Sequence, residues 1–223
     1  MFQLRSPLLL LLLATSLLSS ACAFSNIDLT LPTRGLEHPV TGGNGRQVVV
    51  VSPFADERET KWRCGMQTNG YDMDTADAVC QGDPNVWLAQ ILANELRTTG
   101  FTVLTPDAPH KPGALRVEGS LAKLFVEPIH GFWTGSLEAD LFVRLRVSSD
   151  TGLEADRGFF VKGWRGGQIA SVTGPYNIAL DRATQQTLEE MVRAIVELMD
   201  KYPQLGDAGG SSFDLTNSEA AAR

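Results

Sequence analysis

The stretch "LEADLFVRLRV", residues 137–147, decides the architecture. Leu137, Ala139, Leu141, Val143, Leu145 and Val147 take every second position, and Glu138, Asp140, Arg144 and Arg146 lie between them. A period of two predicts a strand with one buried face and one wet face. Upstream, Leu115, Val117, Gly119 and Leu121 alternate with Arg116, Glu118 and Ser120. That alternation breaks near Lys123 to Phe125, which predicts a bulge. Downstream, "SSDTG" (148–152) suits a turn, and residues 157–165 return as a third strand. The three together predict an antiparallel meander.

A meander with one apolar face needs a cover. Asp83-Pro84 reads as an N-cap followed by proline in the first helical turn. Trp87, Ile91, Leu92 and Leu96 then recur at helical spacing, and Gly100 closes the element. Phe101 to Leu104 reads as a short strand. From about Pro175 the period becomes helical again, with Leu180, Ala183, Leu188, Met191, Val192, Ile195, Leu198 and Met199 on one stripe that stops before Pro203. Near the start of the body, "RQVVVVSPF" (46–54) contains Val48 to Val51, a strand buried on both faces. This order predicts an α+β fold: an antiparallel or mixed sheet of about four or five strands with two helices packed on one face.

The N-terminus has the layout of an export signal. Arg5 supplies the positive start, Leu8 to Leu13 form a leucine run, and Ala14 to Ala21 turn small and polar. The run is shorter than the roughly 20 residues that span a bilayer. Two cleavage sites compete. "LSSAC" (18–22) resembles a bacterial lipobox, in which the Cys22 thiol accepts diacylglycerol, although Ser19 stands where that motif usually has leucine. Ala21-Cys22-Ala23 also fits small-x-small cleavage before Phe24, with no lipid. We favour lipid attachment at Cys22. The domain expectations are a signal peptide over 1–21, a lipidated N-terminus and tether over 22–46, a folded domain over 47–203 and a disordered tail over 204–223. The tether reading rests on Pro32, Pro39 and Gly42-Gly43-Asn44-Gly45. Each buried methylene of a lipid contributes about 0.8 kcal/mol, and a single chain anchors only marginally. Ala23, rather than an aspartate, follows the cysteine, which favours the outer membrane.

Acidic residues number 26 against 19 basic in 223, a net charge of −7 that loss of Arg5 makes one unit more negative. No basic stripe is present, so nucleic acid is not an expected partner. Of three cysteines, Cys64 and Cys80 remain once Cys22 is modified or removed. An even pair in an exported chain predicts a disulfide, which would close the insert over 55–82.

The laid-out body resembles YajG-type bacterial envelope lipoproteins. The likeness rests on the lipobox, the valine-rich first strand, the helix closing on "TTGF" (98–101), the long meander and the final helix ending "VELMD" (196–200). It runs over residues 14–202 in order of elements, with an insert between Phe54 and Asp83 longer than that family's. More distantly, the chain is similar to lipoproteins that activate peptidoglycan synthases and to the small domain of TolB. The resemblance implies an outer-membrane lipoprotein with an α+β periplasmic domain and no established catalysis.

Chemistry-bearing motifs are sparse. The histidines are His38, His110 and His130, and none has a second ligand at metal spacing. His130 with Glu127 is a possible acid–base pair. "YDMDTAD" holds Asp72, Asp74 and Asp77, but lacks the turn glycine and third carboxylate of a calcium loop. "GGNG" (42–45) precedes a strand and lacks the lysine of a phosphate loop. No metal or cofactor is expected. The aromatic residues carry more information. Trp62 and Tyr71 lie in the insert, Phe132 and Trp133 in the hairpin loop, and Trp164 and Tyr176 around the last strand. They form either a satellite core under the long loop or, with Arg63 and Met66, a protein-binding patch.

These features lead to an expectation of a non-catalytic binding or assembly factor, lipid-anchored to the outer membrane and facing a periplasmic protein partner. The alternatives are a carrier of lipid or peptidoglycan fragments in a groove between sheet and helices, and a hydrolase using Glu127, His130 or the aspartate loop.

Overall fold

The computed structural model describes residues 25–69, 71, 73–130, 135–167, 173–203 and 205. Cys22, Asp72, Phe132 and Trp133 lie outside the described residues, as does nearly all of the 204–223 tail. The described strands are β1 (Ile27–Thr30), β2 (Gln47–Val50), β3 (Ala55–Asp56), β4 (Gly65–Thr68), β5 (Asp74–Gln81), β6 (Thr102–Leu104), β7 (Leu115–His130), β8 (Gly135–Ser149) and β9 (Glu154–Gly167). Helix α1 is Pro84–Thr98 and α2 is Thr173–Lys201.

The alternation in 137–147 marks the middle of the largest feature. Strands β7, β8 and β9 form an antiparallel meander, with a register shift between Leu121 and Lys123 where the β7 pattern breaks. Leu115, Val117, Leu121, Leu124 and Val126 of β7 join the β8 stripe and Phe159 and Val161 of β9 in one core. Helix α2 lies across this face and touches β9, β8, β1 and α1. Gly163 lets it approach, because a Cβ there would stand 2.2 Å from the Ala179 carbonyl oxygen. Helix α1 packs on β6 and β7. Asp83 occupies its N-cap position without a side-chain hydrogen bond, and its carbonyl accepts the Trp87 amide at 2.9 Å. Gly100, at φ +99°, takes the left-handed turn that ends the helix.

The expected sheet of four or five strands is wrong: nine described strands form one mixed sheet. Strand β7 is 16 residues long, and its second edge is shared end to end. It pairs in parallel with β2 at Val117, β3 at Ser120 and β4 at Val126. Beyond β2 lies β6; beyond β4 lie β5 and then β1. The extra strands come from two regions read as irregular. The segment read as a tether joins the fold, with Ile27 and Leu29 buried and β1 paired in parallel to β5. The insert over 55–82 supplies β3, β4 and β5, and a Cys64–Cys80 disulfide joins the start of β4 to β5. Strands β1, β3 and β4 have four residues or fewer, and β4 and β5 carry few apolar residues, so neither length nor period marks them in the sequence. None of the described helices is long and apolar enough to cross a membrane.

Candidate functional site: the outer face of the meander

Alternation along β7–β9 sends a second set of side chains outward. Register places Lys123 opposite Phe142 and Phe142 opposite Phe160; Phe125 faces Asp140 and Asp140 faces Lys162; Glu127 faces Glu138 and Glu138 faces Trp164. The result is a chequerboard of rings and charges. The Phe142 and Phe160 rings meet edge to face with centroids 6.0 Å apart, a favoured aromatic geometry. Phe160 and Trp164 are 54% and 45% exposed, unusual for rings on a rigid sheet.

The charges between the rings are paired. Asp140 accepts from Lys123 and lies 3.4 Å from the Lys162 amine, and Lys162 also donates to Glu138. Glu138 and Asp140 are buried under these lysine stems. The hydrogen bond to Glu138 raises the Lys162 pKa. Glu127 is unlike them. Burial, reinforced by the charges of Asp140 and Glu138, raises its pKa above the usual carboxylate range, against the opposing pull of Lys123 and Lys162. Further along the face, Glu118, Arg144, Arg146 and Asp156 line an open groove of about 520 Å³.

The aromatic cluster expected from sequence is split. Trp62, 62% exposed, belongs to this face: Arg63 lies 4.9 Å from its ring and 5.6 Å from the Phe125 ring. Tyr71 sits elsewhere, on the β4–β5 turn, 85% exposed. Tyr176 is core: it is fully buried, its hydroxyl donates to the Met66 carbonyl at 3.3 Å, and burial pushes its pKa up to about 12. Phe160 and Phe142 were missed because a ring at an outward position reads as a lapse in alternation.

The residues of the hydrolase alternative are not brought together. Glu127 and His130 are three apart on one strand, so alternation directs them to opposite faces. His130 Nε2 instead lies 2.8 Å from the Thr68 hydroxyl. Asp77 and Asp74 are taken up by the Arg63 guanidinium, at 3.1 and 3.9 Å. Among the described residues, no group of three or more His, Cys, Asp or Glu side chains is placed to hold a metal.

No protein-family model matches the sequence, and no curated protein sequence does. Solved structures do match. The chain resembles protein XCC0632 from Xanthomonas campestris, of family DUF330, with a TM-score of 0.56 at 12% identity over 78% of this chain and 99% of that one. That likeness is one of fold. A minor lipoprotein from Acinetobacter baumannii is also among the structural neighbours, at a TM-score of 0.32 and 10% identity over 55% of this chain and 87% of that one.

Proposed function

We propose that this chain is an outer-membrane lipoprotein of the YajG-like kind, anchored through Cys22, which binds a periplasmic protein partner and performs no catalysis. The exposed Phe160 and Trp164 rings on the meander's outer face carry this reading. Each ring turns about only two side-chain torsions, so little entropy is lost when a partner covers it. The paired lysines and carboxylates around them form a polar rim that gives register to a docked surface. The lipobox and the Cys64–Cys80 disulfide support an oxidising, envelope location.

The test is chemical crosslinking in intact membranes, comparing the native chain with the Phe160→Ala, Trp164→Ala double variant. The adduct to the partner protein is expected to disappear, while the chain stays folded and melts only modestly lower, because each ring is about half exposed and Phe160 also gives up its contact with Phe142. Equal adduct yield from both chains would exclude this face as the contact.

A carrier role has one observation in its favour. Val147, Leu153, Ala155, Phe159, Leu198 and Tyr202 line a groove of about 250 Å³ between the end of α2 and the sheet. Native mass spectrometry of protein extracted from membranes would show a co-purifying lipid or glycopeptide if that groove is loaded.

A further inference from the structure

We infer that the β4–β5 end of the sheet is a membrane-docking tip, which rests Tyr71, Met73 and Ile129 in the lipid headgroup layer beside the acylated Cys22. This rests on the lipoprotein reading and adds an orientation to it.

The direction of the N-terminal chain is the first support. Strand β1 runs parallel to β5 with Ile27 opposite Ala78, and the Asn26 side chain accepts the Asp77 amide at 3.2 Å. Strand β5 runs from Asp74 at the turn towards Gln81. The polypeptide traced backwards from Asn26 therefore heads towards the turn. Cys22 is four residues before Asn26, a span of at most about 14 Å. Met73 is four residues before Asp77, about 13 Å along the strand. The lipid-bearing residue can thus reach the level of the turn and little further.

The shape of the turn is the second support. The Asn69 side-chain oxygen accepts the amides of Tyr71 and Met73 at 2.9 and 3.2 Å, and the Asn69 amide donates to the Met73 carbonyl at 3.0 Å. Tied to Asn69 in this way, Tyr71 is 85% exposed and Met73 57% exposed. The contact between Thr68 and His130, at 2.8 Å, ties the end of β4 to the end of β7, where Ile129 is 37% exposed. Three apolar side chains near two strand ends are thus exposed at the end of the sheet that β1 runs away from.

Tyrosine prefers the membrane–water interface, where its ring is apolar and its hydroxyl stays wet. A contact too weak to bind a free domain suffices when a lipid already holds it at the surface, because the effective concentration is high. Charge does not drive the contact. The chain carries −7, and of the two nearby carboxylates, Asp74 and Asp77, the single Arg63 offsets one charge. Docked this way, the 16-residue β7 extends about 50 Å from the bilayer. The outer face of the meander is then presented to the periplasm.

The experiment uses the mature acylated chain in phosphatidylethanolamine–phosphatidylglycerol vesicles. A polarity-sensitive nitrobenzoxadiazole label is placed at Met73→Cys, at Tyr71→Cys as a second site, and at Thr151→Cys in the β8–β9 turn as the distant control. Labels at 71 and 73 are expected to shift to the blue, to be quenched by spin-labelled lipid and to lose quenching by iodide, at low and high salt alike. The label at 151 is expected to keep its aqueous emission. If the chain floats with vesicles and carries the acylated mass, yet positions 71 and 73 report water, the tip does not dock and the anchor reading survives alone. A shift that needs added membrane protein would make the tip a protein contact and overturn the inference. Failure to float, with an unmodified Cys22 by intact mass, overturns both readings together.

Discussion

Gly163 of β9 lies directly beneath Ala179 of α2: a Cβ on the glycine would stand 2.2 Å from the Ala179 carbonyl oxygen and 2.5 Å from the Ala183 amide nitrogen. Both obstacles are helix backbone, which cannot turn aside as a flexible side chain would. Gly163→Ala therefore has to lift α2 from the sheet, at a cost of about 2–3 kcal/mol for overpacking. For a domain of this size, that lowers the melting temperature by about 5–10 °C. Gly166, three residues along the same strand, has open space around it. Gly166→Ala is expected to melt close to the native chain, and thermal circular dichroism on the pair checks the contrast.

This contact is invisible in the sequence, where Gly163 reads only as a weak strand residue. The meander itself was legible because its core face is continuous: every second residue from Leu137 to Val147 meets α2 or a neighbouring strand, and burial selects the residue type. The β7 bulge and the stop of α1 at Gly100 were legible for similar reasons, since a broken period and a left-handed turn each leave a trace. Strands β1, β4 and β5 were not. Ile27 and Leu29 do alternate with Asp28 and Thr30, but four residues beside Pro32 and a glycine cluster read as tether. "GMQT" and "DTADAVCQ" hold few apolar positions, and only their pairing with β7 and each other makes them strands. On the candidate face, Trp62 was singled out for its residue type, whereas Phe160 needed the register to show that it points outward.

The Cys64–Cys80 bridge joins residues 16 apart and fastens β4 to β5. Closing such a loop contributes about 3 kcal/mol in the chain-entropy description. The Cys64→Ala, Cys80→Ala double variant is expected to lose that stability, with the loss concentrated in β1, β4 and β5. Amide hydrogen exchange would show those strands opening while β7, β8 and β9 keep their protection. Uniform acceleration across the sheet would mean that the disulfide supports the whole fold.

Arg58 is buried beside that bridge. Its Nε and one Nη donate to the two oxygens of Asp56, both at 2.9 Å, and its other contacts are the Lys61 carbonyl and Cys64 sulfur. Arg58→Met leaves these acceptors unsatisfied and is expected to cost about 2–3 kcal/mol at neutral pH. The hydrogen bond from Arg58 holds the Asp56 pKa below the ordinary value. A depressed carboxylate contributes stability above its unfolded pKa and loses it as pH falls through the folded value. The gap in melting temperature between native and variant chains should therefore narrow below about pH 4.

Glu127 predicts the opposite pH dependence. Its pKa is raised, chiefly by burial, with Asp140 and Glu138 of β8 adding repulsion and Lys123 of β7 and Lys162 of β9 offsetting part of it. A group whose folded pKa exceeds its unfolded value contributes stability that is complete in acid and lost as pH rises through the folded value. At neutral pH the ionised Glu127 is therefore a local burden that its protonated form is not. Glu127→Gln keeps the shape and removes the charge, so it is expected to melt above the native chain at pH 7. Below about pH 4, where both side chains are neutral, the two curves should merge. A lower melting temperature for the variant at pH 7 would show that Lys123 and Lys162 outweigh burial, and that Glu127 is a full member of the ion-pair lattice on this face.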